Sequence, residues 1–383
     1  MTSKERLEVA LSHKEPDRVP FDLDGTDTSG ISIIALKNWL ELNGTQKSSL
    51  KFSSLICQLG LMEEDVLQQF KVDTRCLRAT PPSNFTLNIQ EEGEHSILTD
   101  EWGTRWKMPI EHGFYYDIDV SPLGSFTSPR AVEEYPWPDP RDPSRYEHLK
   151  EKAESIEATS QAGIVLERNT GGIFETSWWM RGFENFLMDL AANPSMACAI
   201  MDNVVEFKMV YWEKALQKVK DDILVMAEAD DLGAQSGLLF SPEMYRKYLK
   251  PRHKKLFSFM KKQAPDVKLF YHSCGAIYDV MPDLIELGVD ILNPIQVSAR
   301  NMDTKKLKKE FGKDLVFWGG GVDTQKILPY GSEQDVRDEV KRRIDDLAPG
   351  GGFVFAPVHC IQQDAPPENI QAMWETVQEY GKY

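Results

Sequence analysis

Three residues have the type and placement to hold a metal ion. Lys268-Leu-Phe-Tyr-His-Ser-Cys-Gly275 is an apolar run that ends in His272, Ser273 and Cys274. Side chains alternate along a strand, so Phe270, His272 and Cys274 share a face. Cys360 ends a second apolar run, Gly352-Phe-Val-Phe-Ala-Pro-Val-His-Cys360. There alternation groups Val354, Ala356, Val358 and Cys360 and turns His359 away from the ligand set. One imidazole and two thiolates are three ligands of a tetrahedral zinc with its fourth position open, as in catalytic rather than structural sites. The plainer reading is two buried cysteines and a hydrogen-bonded histidine.

Carboxylates end several apolar runs. Asp22 and Asp24 lie in Arg18–Gly25, Glu167 in 163–169, and Glu228 and Asp230 in 222–230. Glu167, Glu228 and Asp230 are the candidate acids, bases or substrate-orienting groups. Asp24, Asn169 and Gln296 are candidate substrate contacts. Aromatic side chains follow the same strand ends: Phe174, Trp178 and Trp179, with Trp102, Trp106, Tyr115 and Tyr116 earlier in the chain. Together they suit a flat apolar substrate, although for any single ring core packing under the insertion is the better reading. Gly319–Gly321 and Gly350–Gly352 lack the spacing of a phosphate loop and read as turns.

These residues need a scaffold. A helix is expected over 2–14, capped by Ser3, then a strand at 18–25 and a helix near 30–43. From 148 onward strands and helices alternate: strands 163–169, 222–230, 267–274, 289–296, 314–319 and 352–360, and helices 146–160, 176–191, 194–219, 242–263, 277–287, 303–310, 333–347 and 367–381. Alternation of this kind means a parallel sheet covered by helices. About seven or eight such units predict a (β/α)₈ barrel with its chemistry at the strand C-termini; an open doubly wound sheet is the alternative. Residues 44–150 break the rhythm, with an expected hairpin of 99–108 and 111–117 and the proline-rich connector Tyr135–Pro143. They read as an inserted lid within a single 1–383 barrel.

The chain has 383 residues, 41% apolar and 27% charged, and a net charge of −16. No run approaches the about 18 apolar residues of a membrane span. The acidity argues against a nucleic-acid partner. Five scattered cysteines without a secretory signal read as free thiols, and a cytoplasmic location is the default.

The motifs Ser3-Lys-Glu-Arg…Pro16-Asp-Arg-Val-Pro20, Asp100-Glu-Trp-Gly-Thr-Arg-Trp106 and Pro136-Trp-Pro-Asp-Pro140, with His272, Cys274 and Cys360, resemble the uroporphyrinogen decarboxylase superfamily, in its cobalamin-dependent methyltransferase branch. The resemblance covers essentially the whole chain. It implies a bound zinc on His272, Cys274 and Cys360, a corrinoid protein as partner, and methyl transfer between cobalt and a small methylated substrate. An aryl methyl ether (O-demethylation) is the expected substrate, and methylcobamide:thiol methyl transfer is the alternative. True decarboxylases of the superfamily need no metal and grip their substrate with an arginine-rich loop. Here that loop reads Asp24-Gly-Thr-Asp-Thr-Ser-Gly30, without arginine, which disfavours a metal-free lyase. The thiol-activating relatives place a Glu after the His-x-Cys strand, where this chain has Gln296. Either the fourth position is open to water or substrate, or another acid, Glu167, Glu228 or Asp230, fills it. A corrinoid- or zinc-holding subunit without chemistry of its own is the non-enzymatic reading.

Overall fold

Seven parallel strands form the centre of the molecule, a computed structural model describing residues 1–383. They are Thr74–Leu77, Gly163–Leu166, Val225–Ala229, Lys268–His272, Ile291–Asn293, Val316–Trp318 and Phe353–Val354, hydrogen-bonded in that order. Residues 20–22 complete the ring. Phe355 N–H donates to the Pro20 carbonyl and Asp22 N–H to the Phe355 carbonyl; on the other edge Asp73 N–H donates to the Phe21 carbonyl. The sheet therefore curls into a (β/α)₈-type barrel, with helices outside. The expected strand at 18–25 shrinks to a single parallel bridge, Phe21 to Phe355, because the chain turns inward at the buried Asp22.

Alternation sorts the side chains. Val165, Val225, Ala227, Phe270, Ile291, Val316, Trp318, Val354 and Ala356 fill the barrel interior, and Leu7 and Leu11 of the helix Ser3–Leu11 pack into the same cluster. Phe353 and Phe355 point outward into the larger core beneath the helices. Thr2, not Ser3, caps that first helix, its hydroxyl accepting the Glu5 N–H while Glu5 reaches back to the Thr2 N–H.

Most expected elements are present and shorter. The expected helix 176–191 is two, Ile173–Arg181 and Phe183–Ala192, broken at Gly182, whose φ of 88° no helix accommodates. Helix 242–263 contains a π-helical turn at Tyr245–Leu249 ahead of Lys250–Gln263. Within 44–150 the structure divides the chain differently from an insertion: Thr74–Leu77 is a barrel strand, paired with Gly163–Leu166. The hairpin expected at 99–108 and 111–117 is instead part of a four-stranded antiparallel sheet, Ile89–Glu92, His95–Thr99, Arg105–Pro109 and Asp117–Val120. Asp100 explains the shift. Its carboxylate accepts the N–H groups of Trp102 and Thr104 and the Trp106 indole, making residues 100–104 a turn rather than strand.

Candidate active site

The strand C-termini open into a cavity of about 490 Å³. His272 projects into it from the last residue of its strand. The register sets His272 beside Ala229 on one neighbour and Asn293 on the other. Asn293 Oδ1 lies 2.5 Å from His272 Nδ1, so that nitrogen carries the proton and Nε2 is left to face the cavity. Asn293 is itself held by Thr28 and the Trp318 carbonyl. Cys274 follows two residues later, its N–H donating to Asp231 Oδ1 at 2.8 Å and its Sγ 3.5 Å from His272 Nε2.

The third donor grouped with this pair is His359, not Cys360. The ligating atoms of His272, Cys274 and His359 lie within 4.8 Å of one another, and the two imidazoles meet at 5.3 Å between ring centroids. Cys360 Sγ instead donates to the Asp27 carbonyl at 3.1 Å. The expectation that His359 points away is therefore corrected. The last strand ends at Val354, and 357–360 is irregular, so alternation does not extend to this pair.

The donor set fits a zinc ion. Ligands around tetrahedral zinc stand roughly 3.3–3.8 Å apart for Zn–N and Zn–S bonds of about 2.0–2.3 Å, and the Cys274–His272 pair already has that separation. The hydrogen bond from His272 to Asn293 is the outer support that metal-bound imidazoles typically carry. Burial pushes the Cys274 thiol well above its usual range, and Asp231 adds to that. Burial, with His272 nearby, brings His359 down to about 4 and keeps it neutral, as ligation requires.

Asp231 was not anticipated, nor were Glu175, Arg168 and Asp27, all of which line the cavity. Asp231 accepts the Cys274 N–H at 2.8 Å and stands 3.4 Å from His272 Nε2. Arg168 pairs with Glu167 at 2.5 Å, and Asp27 with Arg78 at 2.8 Å. The pairing of Glu167 with the Asp27 N–H and Arg168 makes it a brace beneath the cavity, where burial raises its carboxyl pKa. Burial raises Asp24 to about 6; it accepts the Met62 N–H and does not line the cavity.

Other expected residues sit elsewhere. Glu228 points outward, because its neighbour Ala227 points in, and is locked to Lys208 at 2.9 Å and the Trp212 indole at 2.6 Å. Asp230 caps the helix Ile173–Arg181, accepting the N–H groups of Phe174 and Glu175 and meeting His253 Nε2 at 2.8 Å. Gln296 Oε1 accepts the Gly275 N–H and braces the turn after Cys274. Phe174 is core, packed on Phe186 and Phe240. Trp178, Trp106, Tyr115 and Tyr116 line a separate outer groove; of the named rings only Trp102 and Trp179 reach the cavity, beside Asn169. A signal for Glu175 existed in the sequence: it stands three residues after Gly172, the capping-box position at a helix start.

A barrel with a metal-competent cluster at its strand ends defines the class as a (β/α)₈-barrel protein with its site in the usual place. The pattern of the uroporphyrinogen decarboxylase (URO-D) family matches residues 120–380, and the chain belongs to that family. It is 24% identical over 197 residues to the uroporphyrinogen decarboxylase of Geobacter sulfurreducens, covering 51% of this chain and 53% of that protein. It is 25% identical over 186 residues to that of Geobacter metallireducens, covering 49% and 50%. The chain thus matches about half the length of these curated relatives. Among solved structures, a methyltransferase from Methanosarcina mazei superposes with a TM-score of 0.64 over 99% of both chains at 18% identity, a likeness of fold.

Proposed function

We propose that this protein is a zinc-dependent methyltransferase that moves a methyl group from a small methylated substrate, an aryl methyl ether, to the cobalt of a corrinoid protein. The observation that carries the reading is the His272–Cys274–His359 cluster, whose two histidines line the cavity. Bound there, zinc would supply Lewis acidity to the ether oxygen as the methyl leaves. The chain's own residues do the rest. Asn293 fixes the His272 tautomer, Asp231 orients the Cys274 backbone, and Trp102, Trp179 and Phe85 supply aromatic wall to the cavity. Similarity to a methyltransferase of the same fold is consistent with this reading. The lyase alternative needs free cations for a polycarboxylate. Arg168, the one arginine lining the cavity, is already paired with Glu167.

Metal content tests the site. The purified protein is expected to hold about one zinc per chain, as a single tetrahedral site requires. The cluster as it stands predicts zinc retained in Cys360→Ser and lost in His359→Ala. The reverse result restores Cys360 as the ligand and requires its thiol to give up the Asp27 carbonyl. Zinc in neither the wild type nor after add-back would sink the metal reading. Asn293→Ala should weaken zinc binding by about 10- to 100-fold, the usual cost of removing an outer hydrogen bond, measured by competition with a chromogenic chelator. Function is then read from spectra: formation of methyl-Co(III) from Co(I) should need both this protein and a methoxyarene, and equal methylation without the protein would refute catalysis.

A further inference from the structure

Five carboxylates line the cavity: Asp27, Asp100, Glu101, Glu175 and Asp231. Four are committed. Asp27 pairs with Arg78 and Glu101 with Arg145, and Asp231 accepts the Cys274 N–H. Asp100 holds its turn through three N–H donors. Glu175 differs: it has no ion pair, and its one hydrogen bond, from the Gly172 N–H at 3.2 Å, falls on Oε2. Oε1 has no partner in the protein, and the side chain is only half-buried on the cavity wall.

Its backbone is well anchored. The Glu175 N–H donates to Asp230 at 2.8 Å, and Asp230 is held in turn by His253. Gly172 lets the helix start press against the strand end, since a Cβ there would stand 1.9 Å from the Ala229 carbonyl oxygen. Glu175 is thus a rigidly mounted carboxyl with one free oxygen, beside the metal-competent cluster and with no counter-ion of its own.

We propose that Glu175 is the general acid of the reaction, delivering a proton from its carboxyl to the ether oxygen as the methyl group departs. The inference rests on the methyl-transfer reading above. In the step, Co(I) of the corrinoid attacks the methyl carbon and a Co–C bond forms. The C–O bond breaks with its electron pair staying on oxygen, and the Glu175 proton joins that oxygen to release a phenol. Cobalt is formally oxidised to Co(III), and solvent returns a proton to the carboxylate. Around Glu175 stand Asp230 and Asp231 after strand Val225–Ala229, Arg168 after Gly163–Leu166, Cys274 after Lys268–His272, and Cys57 from the overlying loop. Burial first, then Asp231 and Asp230, outweigh Arg168 and bring its carboxyl up to about 8 in the metal-free protein.

The test compares wild type and Glu175→Gln on methoxyarenes whose phenols differ in acidity, with cob(I)alamin as methyl acceptor. General acid catalysis contributes about 10²–10⁴-fold. The variant should lose about that much on ethers of weakly acidic phenols and progressively less as the phenol becomes a better leaving group. Wild-type rates on the former should fall with rising pH as Glu175 ionises, and the variant's should not. An equal loss on every ether would overturn the proposal and leave Glu175 a structural role. A second arm needs no substrate. Difference infrared spectra should show a protonated carboxyl at pH 7 in the wild type and not in Glu175→Gln; its absence from the wild type also overturns the proposal. If the wild type demethylates none of the ethers, the methyl-transfer reading falls, while the infrared arm still judges Glu175.

Discussion

Replacing His272 with alanine is expected to abolish zinc binding at micromolar metal and to lower methyl transfer by roughly 10³-fold or more, well beyond the loss from removing an outer hydrogen bond. The argument is geometric. His272 Nε2 stands between Cys274 Sγ at 3.5 Å and Asp231 Oδ1 at 3.4 Å. No other imidazole is held by a side chain in the orientation that Asn293 gives it. Removing it leaves Cys274 and His359 as two ligands, too few for tight zinc binding. The fold should survive, because Asn293 keeps its bonds to Thr28 and the Trp318 carbonyl. Metal analysis, circular dichroism and cobalamin spectra on one preparation check all three points. A well-folded variant that keeps its zinc and its rate would remove His272 from the site.

The largest effect on stability is expected outside the cavity. Lys208 and Glu228 are both almost wholly buried, and the Trp212 indole completes the Glu228 shell. Lys208→Ala leaves a carboxylate in the core without its cation, which costs about 3–5 kcal/mol. The double variant Lys208→Met/Glu228→Leu should recover most of that loss, since an apolar pair of similar volume is often neutral or better. Urea unfolding of the two variants checks the pair. A loss under about 1 kcal/mol in Lys208→Ala would place the pair with exposed salt bridges in effect. Because Glu228 lies far from substrate in this account, kcat per folded molecule should not change.

The barrel was legible because its signal is repetitive: strand-length apolar runs separated by helical ones from Gly163 onward. Asn293 and His272 became neighbours through register, which no single run encodes. Cys360 shows where local reasoning stops. Alternation held from Phe353 through Ala356, then failed at the bend of Val358 and His359, and His359 stands in the cluster instead. Glu228 and Asp230 were recognised as strand-end carboxylates, but their use depended on Lys208 and on the start of helix Ile173–Arg181, both distant in sequence. Glu175 lies beside Phe174 on the helix Ile173–Arg181, outside the apolar runs that end in the other carboxylates, and only its capping-box spacing from Gly172 marks it. The aromatic residues were overcounted because composition cannot tell a cavity wall from an outer groove; Trp179 and Trp178 are adjacent and face different spaces.

The ring closure through residues 20–22 bears on synthesis. Those residues are bonded on one side to Asp73 and on the other to Phe355, which emerges from the ribosome far later. Until then the side of residues 20–22 that faces Phe355 and the edge of Val316–Trp318 lack partners, and Leu7 and Leu11 have no completed interior to enter. An unpaired strand edge and exposed apolar residues favour association with other chains. Nascent chains arrested before Phe355 should therefore be protease-sensitive near Phe21 and should recruit holdase chaperones. Chains released after the last strand should lose both properties together, in one late cooperative step.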